Sequence, residues 1–185
     1  MTRMFRTVSR FSRGYEPEQV DEFFERARRA YEGDRSEPID GYDVRRTAFD
    51  LVRGGYAAPA VDAAMDRLER AFTARRRGEF MATNGQEAWM EHLAGKARTM
   101  YDRLRRPDGE RFAPAKRGEQ GYVRGDVDAL CHRLVDYFDH GAPLTSEEVR
   151  HATFGAARGR RAYAEGPVDA FCDRAIEVLL GVEQQ

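Results

Sequence analysis

The side chains able to do chemistry are few and scattered. Two cysteines, Cys131 and Cys172, and four histidines, His92, His132, His140 and His151, are the only thiols and imidazoles. No combination of them has the ligand spacing of a zinc site. Each cysteine stands four residues after a valine of one recurring local pattern, where two further copies of that pattern have Phe24 and Met65. That is the placing of a small buried hydrophobe rather than of a nucleophile. Four Val-Asp pairs supply carboxylates at Asp21, Asp62, Asp128 and Asp169. An active site rarely recurs four times at one helix position, whereas negative charge early in a helix is favoured by the dipole. These aspartates therefore read as structural, with the repeat arginines and other neighbouring arginines as available partners. No Gly-x-Ser-x-Gly, phosphate-cradling or His-Glu-x-x-His motif occurs, so no catalytic residue, metal or cofactor is expected and the chain reads as a non-enzyme.

Composition narrows the partners. The 185 residues carry 31 Lys plus Arg against 32 Asp plus Glu, a formal charge of −1. Nucleic-acid binding is disfavoured by that balance, and the clusters Arg75-Arg76-Arg77 and Arg158-x-Arg160-Arg161 read as solvated surface. With 41% hydrophobic and 11% aromatic residues the chain can build a core. No apolar run reaches the roughly 18–20 residues of a membrane span, and no secretory h-region follows the N-terminus. The expectation is a soluble cytoplasmic protein.

The aromatic residues mark an internal repeat, which organises everything else. Its unit is Tyr, four residues, Val-Asp, and Arg six positions after the valine. It occurs at Tyr15/Val20/Asp21/Arg26, Tyr56/Val61/Asp62/Arg67, Tyr122/Val127/Asp128/Arg133 and Tyr163/Val168/Asp169/Arg174. The valines are 41, 66 and 41 residues apart, so copies one and three, and two and four, lie 107 apart. Phe5 and Phe112 keep that offset, while Pro38, Val44, Arg45, Phe49, Arg53 and Gly54 match Pro143, Val149, Arg150, Phe154, Arg158 and Gly159 at an offset of 105. The chain is a tandem duplication of a two-copy unit.

Each copy predicts one helix. Gly14, Gly55 and Gly121 precede the tyrosine, where glycine suits a tight turn or a positive φ, and Ala162 replaces them in copy four. Pro17, Pro59 and Pro167 suit a first helical turn. From each valine the +3, +4 and +7 positions are apolar: Phe23, Phe24, Ala27; Ala64, Met65, Leu68; Leu130, Cys131, Leu134; Phe171, Cys172, Ala175. That is a buried helical stripe. Between paired copies Thr145-x-x-Glu148 is a capping box and Asp40-x-x-Asp43 its weaker counterpart. Asn84-x-x-Glu87 predicts the start of a further helix carrying Trp89, Leu93, Ala97, Met100 and Leu104, closed by Pro107-Asp108-Gly109. Seven helices follow, at about 16–32, 41–53, 58–78, 85–106, 124–140, 146–158 and 166–182. The expected fold class is all-α in two pseudo-repeated halves, 1–106 and 107–185, without a long coiled coil and with strands few or absent. Trp89 would anchor one half on the other.

Gly14-Tyr15-x4-Val20-Asp21-Glu22-Phe23, with Phe-x-x-x-Arg-Gly at Phe49–Gly54 and Phe154–Gly159, resembles the N-terminal domain motif of DivIVA, the bacterial division and polar-growth scaffold. The two-plus-two arrangement around Trp89 and Arg106–Phe112 resembles the actinobacterial DivIVA-domain repeat proteins. The resemblance implies an interaction protein of cell division or cell-envelope growth, with a protein partner. Classical members add a long coiled coil, and this sequence has no sustained heptads. The family's membrane-touching turn carries Phe-Arg directly before Gly-Tyr; here Ser12-Arg13 holds that place, with Phe11 one residue earlier.

The N-terminus adds a second functional signal. Residues 1–13 contain no acid, and Arg3, Arg6, Arg10 and Arg13 are spaced 3, 4 and 3 apart. On a helix they would oppose Met1, Met4, Phe5, Val8 and Phe11, with Gly14 as the stop. Such a helix would lie on an anionic membrane at the inner face of the cell, or pack its apolar side on the domain. The Phe5–Phe112 correspondence favours packing. A compact monomer or small homo-oligomer is expected. The alternative function is binding of a small molecule or nucleic acid between the two pseudo-symmetric halves.

Overall fold

The computed structural model describes residues 3–34, 36 and 38–183. Along the chain run β1 (Arg13–Tyr15), α1 (Pro17–Glu32), α2 (Gly41–Arg46), β2 (Leu51–Arg53) and α3 (Ala58–Leu104). They are followed by β3 (Gln120–Val123), α4 (Arg124–His140), α5 (Ser146–Arg150), β4 (Ala156–Arg158), β5 (Ala162–Tyr163) and α6 (Glu165–Glu183). The protein is mostly helical, but not purely so. Residues 51–53 and 156–158, expected to end helices, are short strands, so the second and sixth helices shrink to α2 and α5. β1 pairs with β2, and β3 lies between β4 and β5, all antiparallel. Three-residue strands carry too little alternation to register in a sequence.

The sheets prove the duplication. Arg13↔Arg53, Gly14↔Val52 and Tyr15↔Leu51 in the first correspond to Gln120↔Arg158, Gly121↔Ala157 and Tyr122↔Ala156 in the second. Both members of every pair follow the sequence offsets, 107 on one strand and 105 on the other. The two-residue difference is the 3₁₀ turn Gly159–Arg161, inserted before Tyr163 where the first copy runs directly from Gly54 to Tyr56. Positive φ belongs to Gly54 (71°) and Gly159 (58°), not to the glycines before Tyr15 and Tyr122. At Gly14 and Gly121 the demand is close approach. A Cβ there would sit 2.2 Å from the Tyr56 carbonyl oxygen and 2.1 Å from that of Tyr163.

The chain forms two compact units, residues 1–78 and 79–185. Packing thus assigns the connecting segment 79–106 to the second unit, whereas the repeat begins again at 107. In the first unit Phe23, Ala27, Val44 and Phe72 form one cluster, and Val20, Tyr56 and Val61 another. In the second, Val127, Leu130, Cys131, Leu134, Val168, Phe171 and Ala175 join Met100 and Leu104 in a single larger core. All four repeat valines are at most 1% exposed.

α3 is two helices joined at Gly85, whose φ of 85° and ψ of 167° break the helical path. Asn84 does not cap the second of them; its side-chain amide donates to the Phe80 carbonyl, 3.0 Å away, and so closes the first. The helix therefore runs past Gly78, where the sequence suggested a stop. The chain turns back, bringing Phe80 to 5.5 Å from Trp89 and 5.4 Å from His92 between ring centroids. Trp89 is 4% exposed and donates its indole N–H to the Gly181 carbonyl of α6 at 3.2 Å. A Cβ on Gly181 would meet Leu93 Cδ2 at 2.6 Å, so the Leu93 side chain packs directly on the backbone of α6.

Gly121→Ala should lower stability by about 1–3 kcal/mol or more, since its methyl would collide with backbone that is itself strand-paired. Gly95→Ala, inside the 86–104 helix with nothing within 4 Å, should raise it by roughly 0.5–1 kcal/mol. Val127→Asp would bury an unpaired charge and cost several kcal/mol. Urea denaturation of the three variants checks all three signs.

Candidate functional site

The repeat residues meet in crossed pairs. Tyr56 donates its hydroxyl to Asp21 Oδ2 at 3.0 Å, and burial, together with the Asp62 carboxylate facing it, raises the pKa of the Tyr15 phenol. In the second unit Tyr163 donates to Asp128 Oδ1 at 3.1 Å and Tyr122 to Asp169 Oδ1 at 3.0 Å. Each tyrosine thus holds the aspartate of the other copy in its unit. The repeat arginines, available by spacing, are not the aspartates' partners. Arg26 is half-buried on α1 and does not reach Asp21, whose Oδ2 is taken by Tyr56 and whose Oδ1 has no partner. Five residues along a helix turn Arg26 to another side from Asp21. Arg67 is exposed on α3. Arg133 reaches Glu148 at 2.5 Å and Arg174 reaches Thr99 at 3.1 Å. Burial and the facing carboxylate both disfavour phenolate, and Tyr122 is pushed up to about 12.

The buried pair of each unit has one more partner. The Met4 backbone N–H donates to the Tyr56 hydroxyl at 3.1 Å, and the Arg111 N–H to that of Tyr163, also at 3.1 Å. The N-terminal segment is therefore part of the fold. It is not a helix: Thr7 bridges Tyr56, and residues 9–12 make a turn closed by the Ser12 N–H on the Ser9 carbonyl at 2.8 Å. Backbone bonds to the strands beside Tyr56 outweigh a helical pattern too short to hold itself together in water. Phe5 packs on Phe24 and Tyr56, at 5.3 and 5.5 Å between centroids, as Phe112 packs on Tyr163 and Phe171. Met1 of the proposed apolar arc lies outside the described residues.

What the turn presents is a charged and apolar surface. Phe11 at its tip is 77% exposed, with the Arg10 guanidinium 4.8 Å from its ring centre. Met4 (50%) and Leu51 (54%) are exposed in the same unit. Arg3, Arg6, Arg10 and Arg13 all point to solvent, and the strand register adds Arg53 directly opposite Arg13. Among the described residues none of the five makes an ion pair; Arg3 makes only a 3.5 Å contact with Thr7. Like charges opposed across a strand pair destabilise it. Arg53 was visible in the sequence only as a repeat-matching residue, and strand pairing is what enlists it.

The second unit keeps the turn and discards the surface. Glu119 N–H bonds the Lys116 carbonyl at 3.0 Å as Ser12 does that of Ser9. Glu110, Ala113, Gly118 and Gln120 replace Arg3, Arg6, Phe11 and Arg13, while Arg117 and Arg158 keep the places of Arg10 and Arg53.

Both cysteines are free, Cys131 buried and Cys172 half-buried. Burial pushes both thiols from 9.0 up to about 12, so neither is a nucleophile near neutrality. Among the described residues no group of three His, Cys, Asp or Glu side chains is placed to hold a metal ion. Among the described residues no helix is long and apolar enough to cross a membrane.

Tyr56→Phe should cost more stability than Tyr163→Phe, about 1–3 against about 1 kcal/mol. Asp128 keeps Arg111 at 2.8 Å and the Gly109 N–H at 2.7 Å, whereas Asp21 Oδ1 is buried without a partner. Equal losses in urea melts would refute this. The raised thiols set an alkaline limit as well. A neutral thiol favoured by folding contributes fully below pH 9 and loses that contribution as pH rises towards 12. Iodoacetamide should therefore leave both cysteines unmodified at neutral pH until the chain unfolds, and the urea midpoint should fall above about pH 9.

Compared with known proteins, the chain matches no protein-family model, no curated protein and no solved structure.

Proposed function

We propose that this chain is a non-enzymatic interaction protein whose first unit docks by its basic, Phe11-tipped turn on an anionic membrane surface. The observation that carries the reading is the set of five unpaired arginines around Phe11, of which the duplicate loses Phe11 and three arginines and keeps two, at Arg117 and Arg158. A folding requirement would have acted on both. Near an anionic bilayer each arginine contributes roughly 1 kcal/mol, and burying a phenylalanine adds about 1.5–3 kcal/mol. Binding of that size is reversible and salt-sensitive, and needs no spanning helix. The association with division or polar envelope growth, and with a protein partner there, rests on the resemblance of the repeat to the DivIVA domain.

Deleting the N-terminus would not test this, because residues 4–8 hold Tyr56. The informative variants are Phe11→Ser and the pair Arg10→Glu with Arg13→Glu, all on exposed side chains. The parent should pellet with vesicles of mixed neutral and anionic lipid and be released by salt. Both variants should stay in the supernatant while melting within about 0.5 kcal/mol of the parent. If the parent ignores anionic vesicles, or the variants pellet as it does, the docking surface is refuted.

A further inference from the structure

A second basic feature lies wholly within the second unit and owes nothing to the docking turn. A cleft of about 310 Å³ is lined by Thr99, Met100 and Arg103 from α3 and by Pro167, Ala170, Phe171 and Arg174 from α6. Its floor is apolar: Met100 is 1% and Phe171 7% exposed. Its charged groups are two guanidiniums, and no carboxylate lines it. Along α6, Asp169 is engaged by Tyr122 and Glu177 by Lys96, and Asp173, next to Arg174 in the chain, does not line the cleft.

Both arginines are held in place. Arg174 donates to Thr99 Oγ1 at 3.1 Å, and that hydroxyl in turn donates to the Lys96 carbonyl at 2.7 Å. Arg103 lies 4.7 Å from the Phe112 ring centre. Burial of the Arg103 guanidinium, with Arg106 nearby, lowers its proton affinity. The repeat makes the site singular. Arg174 has a counterpart in Arg67, but segment 79–106, which supplies Thr99, Met100 and Arg103, occurs once in the chain.

We infer that this cleft binds a compact organic phosphate, its dianion on Arg103 and Arg174 and its apolar body on Met100, Pro167 and Phe171. The charges match, since a phosphate monoester carries close to −2 near neutral pH and two guanidiniums offer +2. The volume sits at the small end of ligand pockets, which fits a single ring or short chain. Two pre-positioned arginines reduce the ordering cost of binding.

Phenyl phosphate is the probe, with inorganic phosphate, benzyl alcohol and the Arg174→Gln variant as controls. Amide shifts in the intact protein should move at Thr99, Arg103, Ala170 and Arg174 on titration with millimolar phenyl phosphate. Inorganic phosphate should bind more weakly and benzyl alcohol not at all. Arg174→Gln should weaken phenyl phosphate about tenfold or more. Arg98→Gln, which removes an exposed pair with Glu91 on the same helix, should change nothing. Arg103→Gln gives a second variant should the first disturb folding. Absence of localised shifts, equal binding of benzyl alcohol or of inorganic phosphate, or equal weakening by Arg98→Gln would overturn the inference.

Discussion

The crossed Tyr–Asp contact is the constraint from which the fold follows. In each unit, the tyrosine before one helix reaches the aspartate in the first turns of the other copy's helix. For both tyrosines to reach across, the two tyrosine-bearing segments must lie antiparallel and nearly in contact. Tyr15↔Tyr56 and Tyr122↔Tyr163 are bridge partners. That closeness leaves no room for a Cβ at Gly14 or Gly121, and it puts the valine beside each aspartate against the same seam. A neutral phenol donating to a carboxylate satisfies one of its oxygens; Asp128 gains Arg111 and the Gly109 N–H besides, whereas Asp21 Oδ1 stays without a partner. The Tyr-x4-Val-Asp spacing is therefore the shortest description of one half of a two-fold arrangement.

Buried ionic groups show where the duplicates have diverged. Arg45 and Glu69 form a pair in the first unit, 8% and 1% exposed at their side chains, with Arg45 Nε 2.7 Å from Glu69 Oε1. The position matching Glu69 is Ile176, which joins the second unit's core. The second unit has its own pair, Arg111 with Asp128, both 4% exposed, and Met4 stands where Arg111 does. In each case only one partner has changed: Arg150 still matches Arg45, and Asp21 still matches Asp128 but keeps a buried Oδ1 with no partner, a cost that losing one member of such a pair entails. The tyrosine seam, by contrast, is present in all four copies.

The repeat, the valine stripe, both capping boxes (Asp40 with Asp43, Thr145 with Glu148) and the free, buried thiol of Cys131 were legible because each is a local pattern with a fixed spacing. The partners of the aspartates were not. Asp21 and Tyr56 are 35 residues apart, whereas Arg26 follows Asp21 closely in the chain and so looked the nearer partner. The strands escaped notice because two to four residues cannot show alternation, and only the 105-against-107 offset hinted at an insertion between paired segments. The N-terminal helix failed for the opposite reason. Its 3-4-3 arginine spacing was real, but no periodicity in thirteen residues outweighs backbone bonds to Tyr56, Gly55 and Arg6–Ala57.

That failure sharpens the case for the docking surface. Had residues 3–13 been a helix, the arginines could be explained as the solvated side of an element whose apolar side packs. They lie instead on an irregular segment that Phe5 and the Met4 and Val8 backbone amides already fix. Arg3, Arg6 and Arg13 are not needed for that, because Glu110, Ala113 and Gln120 serve in the duplicate with the same hydrogen bonds. Arg13 opposite Arg53 is worse than neutral for the sheet, and Gln120 opposite Arg158 shows how readily the repulsion can be removed. Repulsion retained in one copy, beside a phenylalanine held in water, is what the proposed docking on an anionic surface would relieve. The basic cleft at Arg103 and Arg174 obeys the same electrostatic logic at the scale of a small ligand, in the unit that lacks the turn.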